Sequence, residues 1–187
     1  MQQRACMVLS RLASEYQKDR RNRRLHNRAV TSVIVGAIKA VVAAMHEHAG
    51  SKLVQQSACM ALHELTADNA KSQTQAGNEG AIEAVLAAMH EHVGSELVQQ
   101  RACVALSSLT TGSPSNQTRA GNAGAVEVLI ATMRIHVGGF AVPTARSILR
   151  SMGVFSKREL GNGRNTEIFE PFGRKGIVVR PLGYGYE

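Results

Sequence analysis

The 187-residue sequence predicts an all-α fold, an α-solenoid in which short helical units stack side by side. Three observations carry that prediction. Gly36, Gly80 and Gly124 each open a Gly-Ala-(Ile/Val) run at a constant interval of 44 residues. Aligning residues 36–79 with 80–123 gives 28 identities in 44 positions without a gap. Within each copy the apolar residues recur with the 3.6-residue period of a helix, not the two-residue period of a strand. A fixed period of this length marks a repeat architecture, whose units bury their faces only against neighbours.

Taken in order, the chain opens on a partial unit, residues 1–17, in which "QQRAC" (Gln2–Cys6) echoes "QQSAC" (Gln55–Cys59). The interval there is 53 residues, so about nine extra residues sit in the junction, residues 18–35. Residues 36–79 and 80–123 are complete units; 124–152 is a degraded one, and 153–187 is a glycine-rich tail. In the second complete unit, Ile82, Val85, Leu86 and Met89 form one helical stripe, and Ala84, Ala87 and Ala88 allow close helix packing. Gly94 suits a helix C′ position and Ser95 the N-cap of the next helix. Val98, Ala102, Ala105 and Leu109 continue the helical spacing until the loop "TTGSPSN". The segment "NQTRAGNAG" then leads to the next Gly-Ala start, so each unit reads as a short, a middle and a longer last helix. In the degraded unit "FAVPTARSILRSM" matches the last helix with one deletion, and Pro143 falls near its start, where proline is tolerated.

The order N…AG-x-x-GAI-x-x-[VL]-[LV]…V-Q-Q-x-A-C-x-AL-x-x-L, covering Met1 to about Met152, resembles the armadillo repeat. The resemblance implies a right-handed solenoid of three-helix repeats, with two complete units and a partial unit at each end. It also implies a concave face lined by the third helices, along which an extended peptide lies. The Trp and Asn ladder of the nuclear-import adaptors would fall on Met7 and Arg11, Met60 and Glu64, and Val104 and Ser108. No tryptophan and no asparagine stands there, so that peptide specificity is not carried over. One turn earlier on the same face lie Arg4, Ser57 and Arg101. These nine residues are the candidate peptide groove of a non-enzymatic scaffold or adaptor.

The net charge of +8 is unevenly placed. Residues 1–28 hold eight basic and two acidic side chains, residues 29–152 eight of each, and residues 153–187 six and four. The repeats are therefore neutral, and the excess is concentrated in "KDRRNRRLHNR", the basic patch Lys18, Arg20, Arg21, Arg23, Arg24 and Arg28. Such a run reads as a solvated loop, a nuclear-localisation signal or a nucleic-acid contact, which is the alternative function. It lacks the interleaved aromatics of a single-strand binding platform, with Tyr16 alone nearby.

No catalytic motif competes. "GNGRN" (Gly161–Asn165) lacks the third glycine of a dinucleotide loop, and no Gly-Lys-Ser/Thr phosphate loop is present. "MHEH" places histidines at i and i+2, roughly 200° apart on a helix, and the residue a zinc-protease motif needs as histidine is Gly50 or Gly94. His48, His92 and His136 instead recur at the end of the middle helix, where imidazole can meet the last carbonyls. We expect no metal and no cofactor. Cys6, Cys59 and Cys103 share one repeat position, a helix spacing of about 8–10 Å apart, and read as reduced, packed thiols of a cytoplasmic or nuclear protein.

Arg4 and its polar neighbours interrupt any apolar leader, and Lys39 interrupts the apolar stretch Ala29–Met45, so neither a signal peptide nor a membrane span is expected. The sequon Asn116-Gln117-Thr118 reads as unused. The tail, with seven of the 17 glycines and Phe155, Phe169 and Phe172, is expected to be disordered or loosely packed. Neither end resembles a polar cap, so the chain reads as a fragment of a longer array or as one whose open solenoid ends pair, and marginal stability or self-association is expected.

Overall fold

The computed structural model describes Arg11 and residues 28–154. Eight helices are described, with no strand among the described residues: α1 (Arg28–Glu47), α2 (Lys52–Thr66), α3 (Ala70–Asn78), α4 (Ala81–Glu91), α5 (Glu96–Thr110), α6 (Pro114–Asn122), α7 (Ala125–Ile135) and α8 (Ala141–Ser151). The expected short, middle and long helices are α3, α4 and α5, with 9, 11 and 15 residues.

Local chemistry sets most boundaries. Asn69 Oδ1 accepts the Ser72 N–H at 3.2 Å, and Ser51 Oγ accepts the Val54 N–H at 3.4 Å, each satisfying a free donor at a helix start. Pro114 opens α6, where its missing N–H costs nothing. Gly80 (φ 80°) and Gly124 (φ 83°) break the short helix from the middle one in the left-handed region, which a Cβ would strain.

Two boundaries differ from the sequence reading. Gly36 does not start a helix; α1 runs 20 residues through it. Before Gly80 and Gly124 stand Asn-Glu and Asn-Ala, whereas before Gly36 stand the β-branched Ile34 and Val35, neither of them a turn former. Nor does Gly94 take the left-handed C′ conformation; of the three equivalent glycines only Gly138 does, with φ 79°. The turn after α4 closes instead through the Ser95 N–H to the His92 carbonyl at 2.9 Å, an i to i+3 bond compatible with ordinary φ.

The third helices form one layer, α5 packing between α2 and α8, while α1, α4 and α7 each pack on the third helix of their own unit. Ile38, Leu62, Ile82, Met89, Leu106, Leu109, Leu129 and Leu149 fill the seams and are fully buried. Ala58, Ala61, Ala102 and Ala105, also fully buried, allow α2 and α5 to approach closely. Truncating Leu106 or Leu109 to alanine would cost about 2–5 kcal/mol through lost contact and a cavity.

Burial fixes the register of the degraded unit. Ala141, Ala145, Ile148, Leu149 and Met152 are buried where Val98, Ala102, Ala105, Leu106 and Leu109 are buried in α5, a shift of 43 rather than 44 residues. The deletion falls in the α7–α8 turn, and α8 has 11 residues against 15 in α5. No helix among the described residues is long and apolar enough to cross a membrane.

Candidate functional site

On the face of α2 and α5 turned from their middle helices, the predicted groove residues fall into aligned rows. Ser57, Met60 and Glu64 on α2 are half-buried, and so are Arg101, Val104 and Ser108 on α5. The 43-residue register adds a third row on α8 that the sequence pattern does not show: Thr144, half-buried, with exposed Ser147 and Ser151. The one-residue deletion conceals that row until burial sets the alignment. Of the remaining groove candidates, Arg4 and Met7 lie outside the described residues, and Arg11 is exposed. The basic patch lies outside them as well, except that Arg28 begins α1.

The structure brings several of these side chains together across the seam between units. Arg101 Nη1 lies 2.8 Å from Met60 Sδ. His63 Nδ1 lies 2.5 Å from Ser108 Oγ, which also donates to the Val104 carbonyl at 3.1 Å. A hydroxyl has one hydrogen, so with the carbonyl bond made the imidazole Nδ1 is the donor to Ser108. These contacts hold neighbouring third helices in register and pin Arg101 over the apolar centre formed by Met60 and Val104. The result is a mixed surface: hydroxyls and the Glu64 carboxylate along the rows, a sulfur and a valine between them, and the Arg101 cation. An extended chain advances about 3.3 Å per residue, so roughly three residues span one helix spacing of about 8–10 Å.

Two polar systems lie behind this face; the sequence reading misses the first and anticipates the second only as imidazoles at helix ends. Gln55 Nε2 donates to Met45 O at 2.9 Å and His48 O at 3.0 Å; Gln99 Nε2 donates to Met89 O at 2.7 Å and His92 O at 3.1 Å. Each glutamine is at most 1% exposed, and each satisfies the open carbonyls at the end of its unit's middle helix. The signal is present as the repeated Gln-Gln pair, but hydropathy assigns a glutamine to the surface. In α8 the equivalent position is Val142, so that tie is absent there.

The histidines form the other system. His92 Nε2 meets Ala49 O at 2.7 Å and His136 Nε2 meets Val93 O at 2.7 Å, each reaching one unit back rather than to its own helix end. His92 is buried while His90 is exposed, so the two rings of the second "HEH" occupy different surroundings. His48 Nε2, in the first described unit, is buried with no hydrogen-bond partner among the described residues.

Asn116 is 2% exposed and donates to Gln73 O at 2.9 Å and Leu109 O at 2.8 Å, so both its amide hydrogens are engaged in the folded chain. A side chain on Gly77 would collide with Asn116, so that close approach of α3 and α6 requires glycine. Burial pushes the Cys59 thiol up to about 12, neighbouring Cys103 adding to the effect, and burial pushes Cys103 up to about 12 as well. Both are free thiols. The chain matches no family model, no curated protein and no solved structure.

Proposed function

We propose that the chain is a non-enzymatic scaffold of the armadillo-repeat type, a right-handed solenoid that holds an extended protein segment against its third helices. The observation that carries this reading is the set of aligned rows on α2, α5 and α8, in which half-buried or exposed side chains recur at one register position after another. A repeating surface suits a repeating ligand, and the most regular ligand a protein offers is an extended backbone with a side chain every few ångströms. Hydroxyls at Ser57 and Thr144 can serve backbone amides and carbonyls, and Ser108 and Ser151, whose hydrogens go to Val104 O and Ile148 O, can accept from backbone amides, without selecting a side chain. Met60 and Val104 give the segment an apolar anchor, and Arg101 favours an acidic residue beside it.

Selection of a random peptide library on the intact chain tests the proposal, with Met60→Asp/Val104→Asp as the counter-selection protein. Enriched peptides should lose at least tenfold in affinity for the double variant while its thermal unfolding stays cooperative. Enriched peptides that bind both proteins alike, or no enrichment at all, would end the proposal. Binding only of nucleic acid, falling steeply with salt, would instead favour the Arg-rich junction, residues 18–28.

A further inference from the structure

The two seams between middle helices are not equivalent. Between α4 and α7, Thr132 Oγ1 lies 2.7 Å from Gln99 Oε1 and 2.9 Å from Val128 O, so its one hydrogen, shared between them, gives that buried amide oxygen a donor. One unit earlier the residue equivalent to Thr132 is Ala88, and Gln55 Oε1 is buried with no donor among the described residues. At the same seam, between α1 and α4, lies a pocket of about 280 Å³ that is partly open to solvent. Buried Met45, Gln55, Ala84 and Ala88 line it, with exposed His90 and Glu91 among the residues at its edge.

We propose that this cavity binds a small ligand bearing a hydroxyl on a compact aliphatic body, and that Gln55 Oε1 accepts the hydroxyl's hydrogen bond. The ligand supplies here what the Thr132 side chain supplies at the next seam. The buried acceptor disfavours ligands that bring only an acceptor. A ketone or a carboxylate brings a second acceptor to an acceptor and leaves Oε1 unsatisfied. The volume lies just below the usual range of about 300–1,000 Å³ for ligand pockets, which limits the occupant to a small molecule.

Cyclohexanol and cyclohexanone match in size and differ in having a donor, so they are the probes. Each is titrated into the intact, ¹⁵N-labelled chain while the Gln55 side-chain amide and the Ala88 backbone amide are followed by NMR. The expected result is a saturable shift of both signals with cyclohexanol and a binding constant about tenfold weaker with cyclohexanone. Ala88→Thr should abolish the cyclohexanol shifts while leaving the Gln99 side-chain signal in place; Ala88→Ser, a smaller change, serves if the threonine variant unfolds. Equal binding of both probes, no saturable shift with either, or an unchanged titration in the folded variant would overturn the proposal.

Discussion

His92 Nε2 lies 2.7 Å from the carbonyl oxygen of Ala49, a bond between two units that recurs one repeat later between His136 and Val93. A carbonyl can only accept, so the hydrogen of His92 resides on Nε2. Removing the ring leaves the Ala49 carbonyl without this donor at a seam. His92→Ala should therefore cost about 1–2 kcal/mol, and His136→Ala less, because the His136 contact is exposed. Denaturant unfolding of the two variants measures the difference.

The glutamine ties are unequal in the same manner. Gln99→Leu would free the carbonyls of Met89 and His92 and deprive Thr132 of one acceptor, although Thr132 still reaches Val128 O at 2.9 Å. Gln55→Leu frees two carbonyls but also removes an acceptor that had no donor among the described residues. We expect a loss of about 2–3 kcal/mol for Gln99→Leu and about 1 kcal/mol for Gln55→Leu. Chemical denaturation at fixed pH distinguishes them, and equal losses would contradict the assignment.

Glycines at one repeat position have opposite roles. Gly80→Ala and Gly124→Ala place a Cβ at φ 80° and 83° and should each destabilise by about 1–2 kcal/mol. Gly36 lies inside α1, and a Cβ added there would meet nothing within 4 Å, so Gly36→Ala should stabilise by about 0.5–1 kcal/mol. Melting temperatures should move down for the first two and up for the third.

Much of this organisation is legible in the sequence, for identifiable reasons. The 44-residue period exposes the units because 28 of 44 positions are identical between two copies, and the apolar stripe Ile82, Val85, Leu86, Met89 implies helices because its spacing fits no strand. The start of α1 is not legible, because a Gly-Ala motif marks a boundary only where turn formers precede it. The buried glutamines and the histidine bonds are hidden because their partners are main-chain carbonyls, ten or 43 residues away, which no side-chain pattern records. The third row is hidden by a single deletion, which shifts every face of α8 by about 100° in a straightforward alignment.

Stability should also depend on pH through the thiols. Cys59 and Cys103 are each raised to about 12 from 9.0, so above pH 9 the unfolded chain loses protons that the folded chain keeps. The folded state then binds more protons, and stability falls as pH rises. The contribution is complete below about pH 9 and is lost progressively from there toward pH 12. Urea midpoints measured across that window should decline, and less steeply in Cys59→Ala/Cys103→Ala. At pH 8 the two thiols should resist alkylation until the chain is denatured.

The central claim is that the third-helix face is the binding surface. Its most direct test is NMR mapping of a library-selected peptide on the intact labelled chain, followed at Ser57, Met60, Glu64, Arg101, Val104, Ser108 and Thr144. The largest shifts should follow these rows from α2 through α5 to α8, in one continuous track. Shifts confined to residues 18–28, or to the outer faces of α1, α4 and α7 with the rows unmoved, would contradict it.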